Sequence, residues 1–205
     1  LSSMGMWGPL ERVFKGGSYK DVLKILENDY KYSDPTYLVV YPDNHDKPRF
    51  NSSKSPASSK QYIDMLNFYF TVRGIPCIYY GTEIMMQGDD DPDNRRYLGT
   101  DGIKKGKKSK IYKHIKMLNA LRKKVSALRY GKQENLFASD DIFVFKRYTD
   151  KDTVFVILNK SDKAYHPELE YLKYRIFYDY VTGRKVKAEN ITVKPHALLV
   201  LAPLE

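Results

Sequence analysis

The chain has 205 residues, of which 42% are hydrophobic and 29% charged, so its composition is that of a globular protein rather than a disordered or fibrous one. One cysteine excludes an intrachain disulfide, and no apolar run is long enough to span a membrane. The net charge is +10, with much of the excess between Lys104 and Lys124. These cations are nearly all lysine, without aromatic side chains interleaved as stacking platforms, which argues against a nucleic-acid partner.

The start of the chain predicts two helices. Pro9 favours the first turn of a short helix that ends by Gly16. A clearer helix begins after Ser18, because Ser18 and Asp21 resemble a capping box and apolar residues follow at helical spacing. A polar, turn-rich connection then leads to the first strand.

Residues 37–41 form an uncharged aromatic and β-branched run, which predicts a parallel strand covered on both faces. Asp43, Asn44, His45 and Asp46 follow directly. Polar groups at the carboxyl end of a buried strand occupy the position where α/β barrels carry their chemistry. The same four residues also suit a turn that caps the strand with side-chain hydrogen bonds. These residues alone leave both interpretations open.

A second unit of the same kind follows. Apolar residues at helical spacing predict a helix over residues 59–73 that ends at Gly74. The uncharged strand predicted over residues 75–80 again ends in small and polar residues. This alternation predicts βα units on a parallel sheet, with both polar clusters on the same side.

Residues 84–108 are predicted to be a long loop that faces a ligand, because they combine many Asp and Arg residues with no clear periodicity. Asp89, Asp91 and Asp93 alternate like the start of an EF-hand. The sixth and twelfth positions are Asn94 and Thr100 instead of Gly and Glu, so we reject that motif.

The pattern changes after a long helix predicted over residues 109–130 and a stop at Gly131. Short strands separated by turn signals then predict an antiparallel sandwich. The strands are residues 136–138, 142–148, 153–158, 174–181, 191–193 and 198–201. We therefore expect two domains, residues 1–131 and residues 132–205.

Three segments together resemble the α-amylase superfamily, glycoside hydrolase family 13. Residues 41–46 (YPDNHD) are similar to its F-x-D-N-H-D motif, and residues 74–83 (GIPCIYYGTE) to its G-x-P-x-I-Y-Y-G-x-E strand. Residues 91–95 (DPDNR) are similar to the loop that follows. The resemblance implies α/β structure followed by all-β structure: the last strands and helices of a TIM-type (β/α)8 barrel, then a small antiparallel β-sandwich.

The resemblance also implies an α-glucan or maltooligosaccharide substrate and a role for each motif residue. Retaining glycosidases use a nucleophile and an acid/base, and a third carboxylate can stabilise the transition state. The third role falls to Asp46, and His45 would donate to a hydroxyl of the same sugar. Asp91 and Arg95 would contact a more distant sugar. Asp43 and Asn44 would orient the strand end, and the remaining motif positions, Arg49 and Glu83, are interpreted as structural ion pairing.

Two catalytic carboxylates of the family have no counterpart here, since no G-x-R-x-D pattern with a following acid/base Glu occurs. The chain also begins with Leu1. We therefore expect a fragment whose N-terminal half is missing and which alone has no glycosidase activity. An alternative is a catalytically silent relative that binds glycans or acts as a scaffold.

The sequence implies no cofactor in this segment, while calcium is possible in the full-length protein because the usual sites of the family lie mostly elsewhere. Linkage specificity, the choice between hydrolysis and transglycosylation, the cellular location and the oligomeric state stay open.

Overall fold

The computed structural model describes residues 10–168 and 173–204. Helices come first and strands dominate the second half. The helices are α1 (residues 10–14), α2 (Tyr19–Leu26), α3 (Ser59–Thr71), α4 (Gly99–Lys108), α5 (Lys110–Lys124) and α6 (Ser126–Tyr130). The strands are β1 (Val39–Val40), β2 (Ile75–Pro76), β3 (Lys132–Ala138), β4 (Ile142–Tyr148), β5 (Thr153–Asn159), β6 (Ile176–Asp179), β7 (Arg184–Lys187) and β8 (Ala197–Leu204). None of these helices is both long and apolar enough to cross a lipid bilayer.

Strands β1 and β2 pair in parallel, as predicted, but each is only two residues long. The predicted bounds of residues 37–41 and 75–80 are therefore wrong. Tyr37 ends a 3-10 turn and is 71% exposed, and in β1 itself Val40 is buried while Val39 is only partly buried, so the coverage expected on both faces is incomplete. Among the described residues each strand has one partner, and the ladder stops where the chain turns into the polar segments.

Helix α3 begins with a reciprocal capping box, in which Ser58 and Gln61 each accept from the other's main-chain N–H. Its broad buried face contributes Tyr62, Leu66 and Phe68 to the core. Gly74 follows with φ of +103°, and a Cβ atom there would lie 2.5 Å from the main-chain oxygen of Leu38. Only glycine fits at this point. It allows the chain between α3 and β2 to pass close to the backbone of Leu38.

The predicted loop over residues 84–108 is wrong in its second half, where α4 forms. Its three glycines lower helix propensity by about 1 kcal/mol each, which hides the helix in the sequence. Two of them are buried. A Cβ on Gly106 would lie 3.6 Å from Glu83 and Ile84, so a small residue allows α4 to pack closely there.

The single helix predicted over residues 109–130 is divided into α5 and α6 at Val125, whose φ and ψ of −102° and 106° are extended. Asp152, from the turn between β4 and β5, accepts from the Ala127 N–H at 3.0 Å and from the Ser126 hydroxyl at 2.9 Å. A carboxylate distant in sequence thus caps α6 and stabilises the break.

The second half contains a six-stranded antiparallel sheet in the order β3-β4-β5-β8-β6-β7. Strand β7 was not predicted. The predicted strand over residues 191–193 forms only an isolated bridge between Val193 and Tyr165. These changes leave the predicted fold class confirmed, because α/β structure precedes an all-β region.

The two faces of this sheet belong to two apolar clusters. Phe143, Phe145 and Val156 face helix α3, where Phe143 lies 6.4 Å from the Phe68 ring. Alternate residues of the same strands face outward and pack under Ile191 and Val193. The inner face therefore shares one core with the helices, which places the carboxyl ends of β1 and β2 on a rigid base.

Candidate functional site

Two loops meet beyond the carboxyl ends of β1 and β2. The first is the 43–47 turn and the second is the 88–96 loop. The Asn94 amide donates to the main-chain oxygen of His45 at 2.9 Å and of Lys47 at 3.0 Å, and Arg95 Nε also donates to the His45 oxygen at 3.1 Å. These contacts bring all four predicted site residues into adjoining segments.

The four side chains form two pairs that face solvent. His45 Nε2 lies 3.2 Å from an Asp46 carboxylate oxygen, and Arg95 Nε lies 2.9 Å from an Asp91 carboxylate oxygen. Their side chains are 47% to 62% exposed. Pairs this exposed contribute about 0–1 kcal/mol. Replacing these contacts by contacts to a polar ligand would therefore cost little free energy.

The capping interpretation of the same turn also has support. The Asp46 N–H donates to Asn44 Oδ1 at 3.0 Å, which is an Asx-type turn. Asn44 therefore orients the chain locally, while the Asp46 carboxylate stays exposed. The two interpretations are compatible, because the turn supplies the backbone and the site uses side chains that the turn leaves available.

Asp43 lies beneath this turn and is 2% exposed. Its carboxylate accepts from the Phe50 N–H at 2.5 Å and from the Thr82 hydroxyl at 3.5 Å. Burial raises the pKa of Asp43 to about 6, although the Phe50 hydrogen bond and the nearby Arg49 guanidinium act in the opposite direction. These contacts give Asp43 the orienting role that the sequence predicted.

Arg49 is fully buried between the two loops. Its Nε donates to the main-chain oxygen of Asn94 at 2.9 Å, and its Nη1 donates to the main-chain oxygen of Tyr80 at 2.7 Å. The guanidinium also lies 4.5 Å from the Tyr79 ring centroid. Structural ion pairing was predicted for Arg49 and Glu83, but neither forms a salt bridge within the described residues. Main-chain carbonyls bind Nε and Nη1 of the buried cation and aromatic faces lie against it, while Nη2 has no hydrogen-bond partner among the described residues.

Sequence reasoning missed Asn94 and Gly88 as parts of this site. Asn94 is fully buried. A Cβ on Gly88 would lie 2.8 Å from the Asn94 Cα and 3.1 Å from Arg49 Cδ, so the loop requires glycine there. The sequence shows only an Asn between Asp91 and Arg95, and its burial and its partners depend on the fold.

Within residues 10–168 and 173–204, no group of three or more His, Cys, Asp or Glu side chains converges in a way that would hold a metal ion. The two loops present two carboxylates, an imidazole and a guanidinium as exposed hydrogen-bonding groups. Such a donor and acceptor set suits the hydroxyl groups of a sugar.

Two family profiles match the two halves of the chain. The α-amylase catalytic domain matches residues 12–105, and the cyclomaltodextrinase C-terminal domain matches residues 137–202. A cyclomaltodextrin glucanotransferase of Geobacillus stearothermophilus is 35% identical over 134 residues, which is 65% of this chain and 18% of that protein. A cyclomaltodextrinase of Geobacillus thermopakistaniensis is 38% identical over 123 residues, 59% of this chain and 20% of that protein. The chain thus spans about a fifth of these curated relatives.

Solved structures have the same fold. An α-amylase of Anoxybacillus superposes with a TM-score of 0.80 at 25% identity, covering 98% of this chain and 47% of that one. A cyclomaltodextrin glucanotransferase with a three-domain arrangement superposes with a TM-score of 0.77 at 29% identity, covering 97% of this chain and 43% of that one. The likeness extends over almost the whole described chain.

Proposed function

The chain belongs to the α-amylase superfamily, glycoside hydrolase family 13, and we propose that it forms part of an enzyme that hydrolyses or transfers α-linked glucan chains. Residues 1–131 would be the last part of the catalytic (β/α)8 barrel, and residues 132–205 the C-terminal β domain. The 43–47 turn and the 88–96 loop would line the sugar-binding side of the barrel.

One observation carries this proposal. Side chains from two loops, His45 and Asp46 on one and Asp91 and Arg95 on the other, are exposed and adjoining above a buried frame of Arg49 and Asn94. A rigid base with exposed hydrogen-bonding groups is the arrangement needed to grip a ligand rich in hydroxyl groups.

The proposed mechanism gives each group a role at a glycosidic bond. The transition state of a retaining enzyme is oxocarbenium-like, and hydrogen bonds to ring hydroxyls strengthen as charge develops. The Asp46 carboxylate would accept from ring hydroxyls and His45 would donate to one of them. Tighter binding in the transition state than in the ground state would then raise the rate. A more distant sugar would be bound by Arg95 through its fork of N–H groups and by Asp91 through its carboxylate oxygens.

Bond making and bond breaking need two further carboxylates about 5 Å apart. These 205 residues contain no G-x-R-x-D pattern that would supply the nucleophile. We therefore propose that Asp46 acts together with groups outside this sequence, and that the 205 residues alone do not cleave a glucan.

The test uses the natural full-length protein that contains this chain, with maltoheptaose as substrate. Asp46→Asn keeps the size of the side chain and removes its charge, and kcat/KM should fall by about 100-fold or more. Asp150→Asn is the matched control, because it removes an exposed carboxylate in the distant β4–β5 turn, and it should leave kcat/KM unchanged. Full activity of Asp46→Asn would contradict the proposal. Glucan binding without turnover by the unmodified protein would favour the silent glycan-binding alternative.

A further inference from the structure

Asn94 joins the two loops that carry the four predicted site residues. Its Nδ2 atom donates to the main-chain oxygens of His45 and Lys47 at 2.9 Å and 3.0 Å. These carbonyls belong to the residues on either side of Asp46. One buried amide therefore restrains the backbone both before and after the proposed transition-state stabiliser.

Asn94 is itself held from below. Arg49 Nε donates to the main-chain oxygen of Asn94. The same guanidinium donates to the main-chain oxygen of Tyr80, a residue that follows β2. Gly88 packs directly against the Asn94 backbone, because a Cβ atom on Gly88 would lie only 2.8 Å from the Asn94 Cα. The Asn94 backbone is thus held by Arg49, which follows the 43–47 turn in the chain, and by Gly88 of its own loop.

The amide nitrogen accounts for the choice of residue. Asn94 Oδ1 is buried and has no hydrogen-bond partner in the described part of the chain. An unpaired buried acceptor is unfavourable. The value of asparagine at this position therefore lies in its two N–H groups, which reach two carbonyls at once. An aspartate would place oxygen against those carbonyls, and an alanine would leave the Lys47 carbonyl without this donor.

We propose that Asn94 is a positioning residue that sets the location of the Asp46 carboxylate relative to Asp91 and Arg95. This inference rests on the proposed function of Asp46. Transition-state stabilisation depends on geometry, so a shift of about 1 Å costs on the order of 100-fold in rate. Asn94 itself touches no substrate and acts through Asp46.

A double-mutant cycle in the full-length protein tests this role with maltoheptaose as substrate. Asn94→Ala should lower kcat/KM by about 10-fold to 100-fold, mainly through kcat, because the loss falls on a contact made in the transition state. In an Asp46→Asn background the same change should cost less than about 3-fold, because its effect passes through Asp46. Losses that multiply in full would overturn the proposal.

Asn159→Ala is the matched control, because Asn159 is a buried amide in the β-sheet that donates to the main-chain oxygens of Lys163, Val193 and Lys194. It removes the same kind of contact far from the site. Its effect on kcat/KM, measured on folded protein, should be small and the same in both backgrounds. An effect of Asn159→Ala that also disappears in the Asp46→Asn background would overturn the proposal.

Crystal structures separate this inference from the proposed function. In Asn94→Ala the Asp46 Cα should move by about 1 Å relative to the Asp91 Cα, whereas in Asn159→Ala it should stay in place. An unmoved 43–47 turn in Asn94→Ala refutes the positioning role, whatever the activity. Unchanged activity of Asp46→Asn refutes the proposed function, while the structures still decide whether Asn94 positions the turn.

Discussion

Buried arginines lie in two regions of this molecule, one beneath the candidate site and one at the end of α3, and the regions differ in what covers the arginines. Beneath the candidate site, Arg49 donates to the main-chain oxygens of Asn94 and Tyr80, and exposed polar side chains cover it. At the C-terminal end of α3, Arg122 and Arg147 donate to main-chain oxygens in a region that packs against the sheet. The same interaction therefore serves a site in one region and an interface in the other.

The interface group closes the end of a helix. Arg122 donates to the Phe70 and Gly74 oxygens at 3.0 Å each, and Arg147 donates to the Thr71 oxygen at 2.6 Å and the Gly131 oxygen at 2.9 Å. The last carbonyls of a helix lack partners within the helix and carry partial negative charge. Burial lowers the pKa of Arg147 to about 9, and the neighbouring arginines act in the same direction.

A buried arginine that binds main-chain carbonyls is therefore a structural feature and does not by itself mark a site. The difference lies in the next layer. Above Arg49 and Asn94 the chain presents His45, Asp46 and Arg95 to solvent, whereas Arg122 and Arg147 are buried against main-chain carbonyls. The two regions should respond differently to mutation.

The largest expected effect is the loss of stability in Arg147→Ala. This change leaves the Thr71 and Gly131 carbonyls without their charged donor, and the free energy of unfolding should fall by about 3 kcal/mol. Asp46→Asn should change it by less than about 0.5 kcal/mol, because the side chain is exposed. Urea unfolding of the full-length protein measures both. Equal destabilisation by the two variants would remove the contrast between the regions.

Arg49→Lys tests whether the site arginine supports function as well as stability. Lysine keeps the charge but lacks the planar fork that reaches Asn94 and Tyr80 together. We expect a loss of about 1–2 kcal/mol in unfolding free energy and a clear fall in kcat/KM. Arg147→Lys is the matched control in the other group. It should lower stability while leaving kcat/KM unchanged well below the unfolding midpoint, and a similar fall in activity for both variants would argue against distinct roles.

A smaller, pH-dependent effect is expected where the sheet meets α3. His196 Nδ1 lies 2.7 Å from Asp64, and Nε2 lies 3.0 Å from Asp162, which also binds Lys60. Burial lowers the pKa of His196, but the hydrogen bonds to the two carboxylates outweigh it and raise the pKa above its ordinary value. Burial also raises the pKa of Asp64 to about 6, against the effects of His196 and Lys160.

Both shifts mean that the folded state binds more protons than the unfolded state. The stabilisation by His196 is therefore complete below its unfolded pKa of about 6.5 and is lost as the pH rises through its higher folded pKa. His196→Asn suits the test, because Asn tolerates the positive φ of 51° at this position. The variant should be less stable than the wild type by about 1 kcal/mol at pH 6 and by less at pH 9. A difference that grows with pH would contradict this sign.

Much of the fold could be predicted from local patterns. Apolar periodicity and capping residues located α2 and α3, and turn signals located most strands of the sheet. Features that depend on distant partners could not be predicted. The break at Val125 is capped by Asp152, and the charged strand β7 pairs with β6. Strands β1 and β2 are shorter than the apolar runs that predicted them, because the length of a strand depends on how far it pairs with its neighbour.

The candidate site shows the same division. His45, Asp46, Asp91 and Arg95 stand in short motifs, so the sequence could nominate them, and the structure brings their loops together. Asn94 and Arg49 act through contacts about 45 to 49 residues apart in sequence. No local pattern reports such a contact, which is why the residues that support the site were harder to find than those that face solvent.

The most direct test is a crystal structure of the full-length Asp46→Asn protein with bound maltoheptaose. We expect one sugar ring whose hydroxyls lie within hydrogen-bond distance of residue 46 and His45, and a second ring in contact with Asp91 or Arg95. A glucan bound elsewhere, with these four side chains facing only solvent, would contradict this expectation.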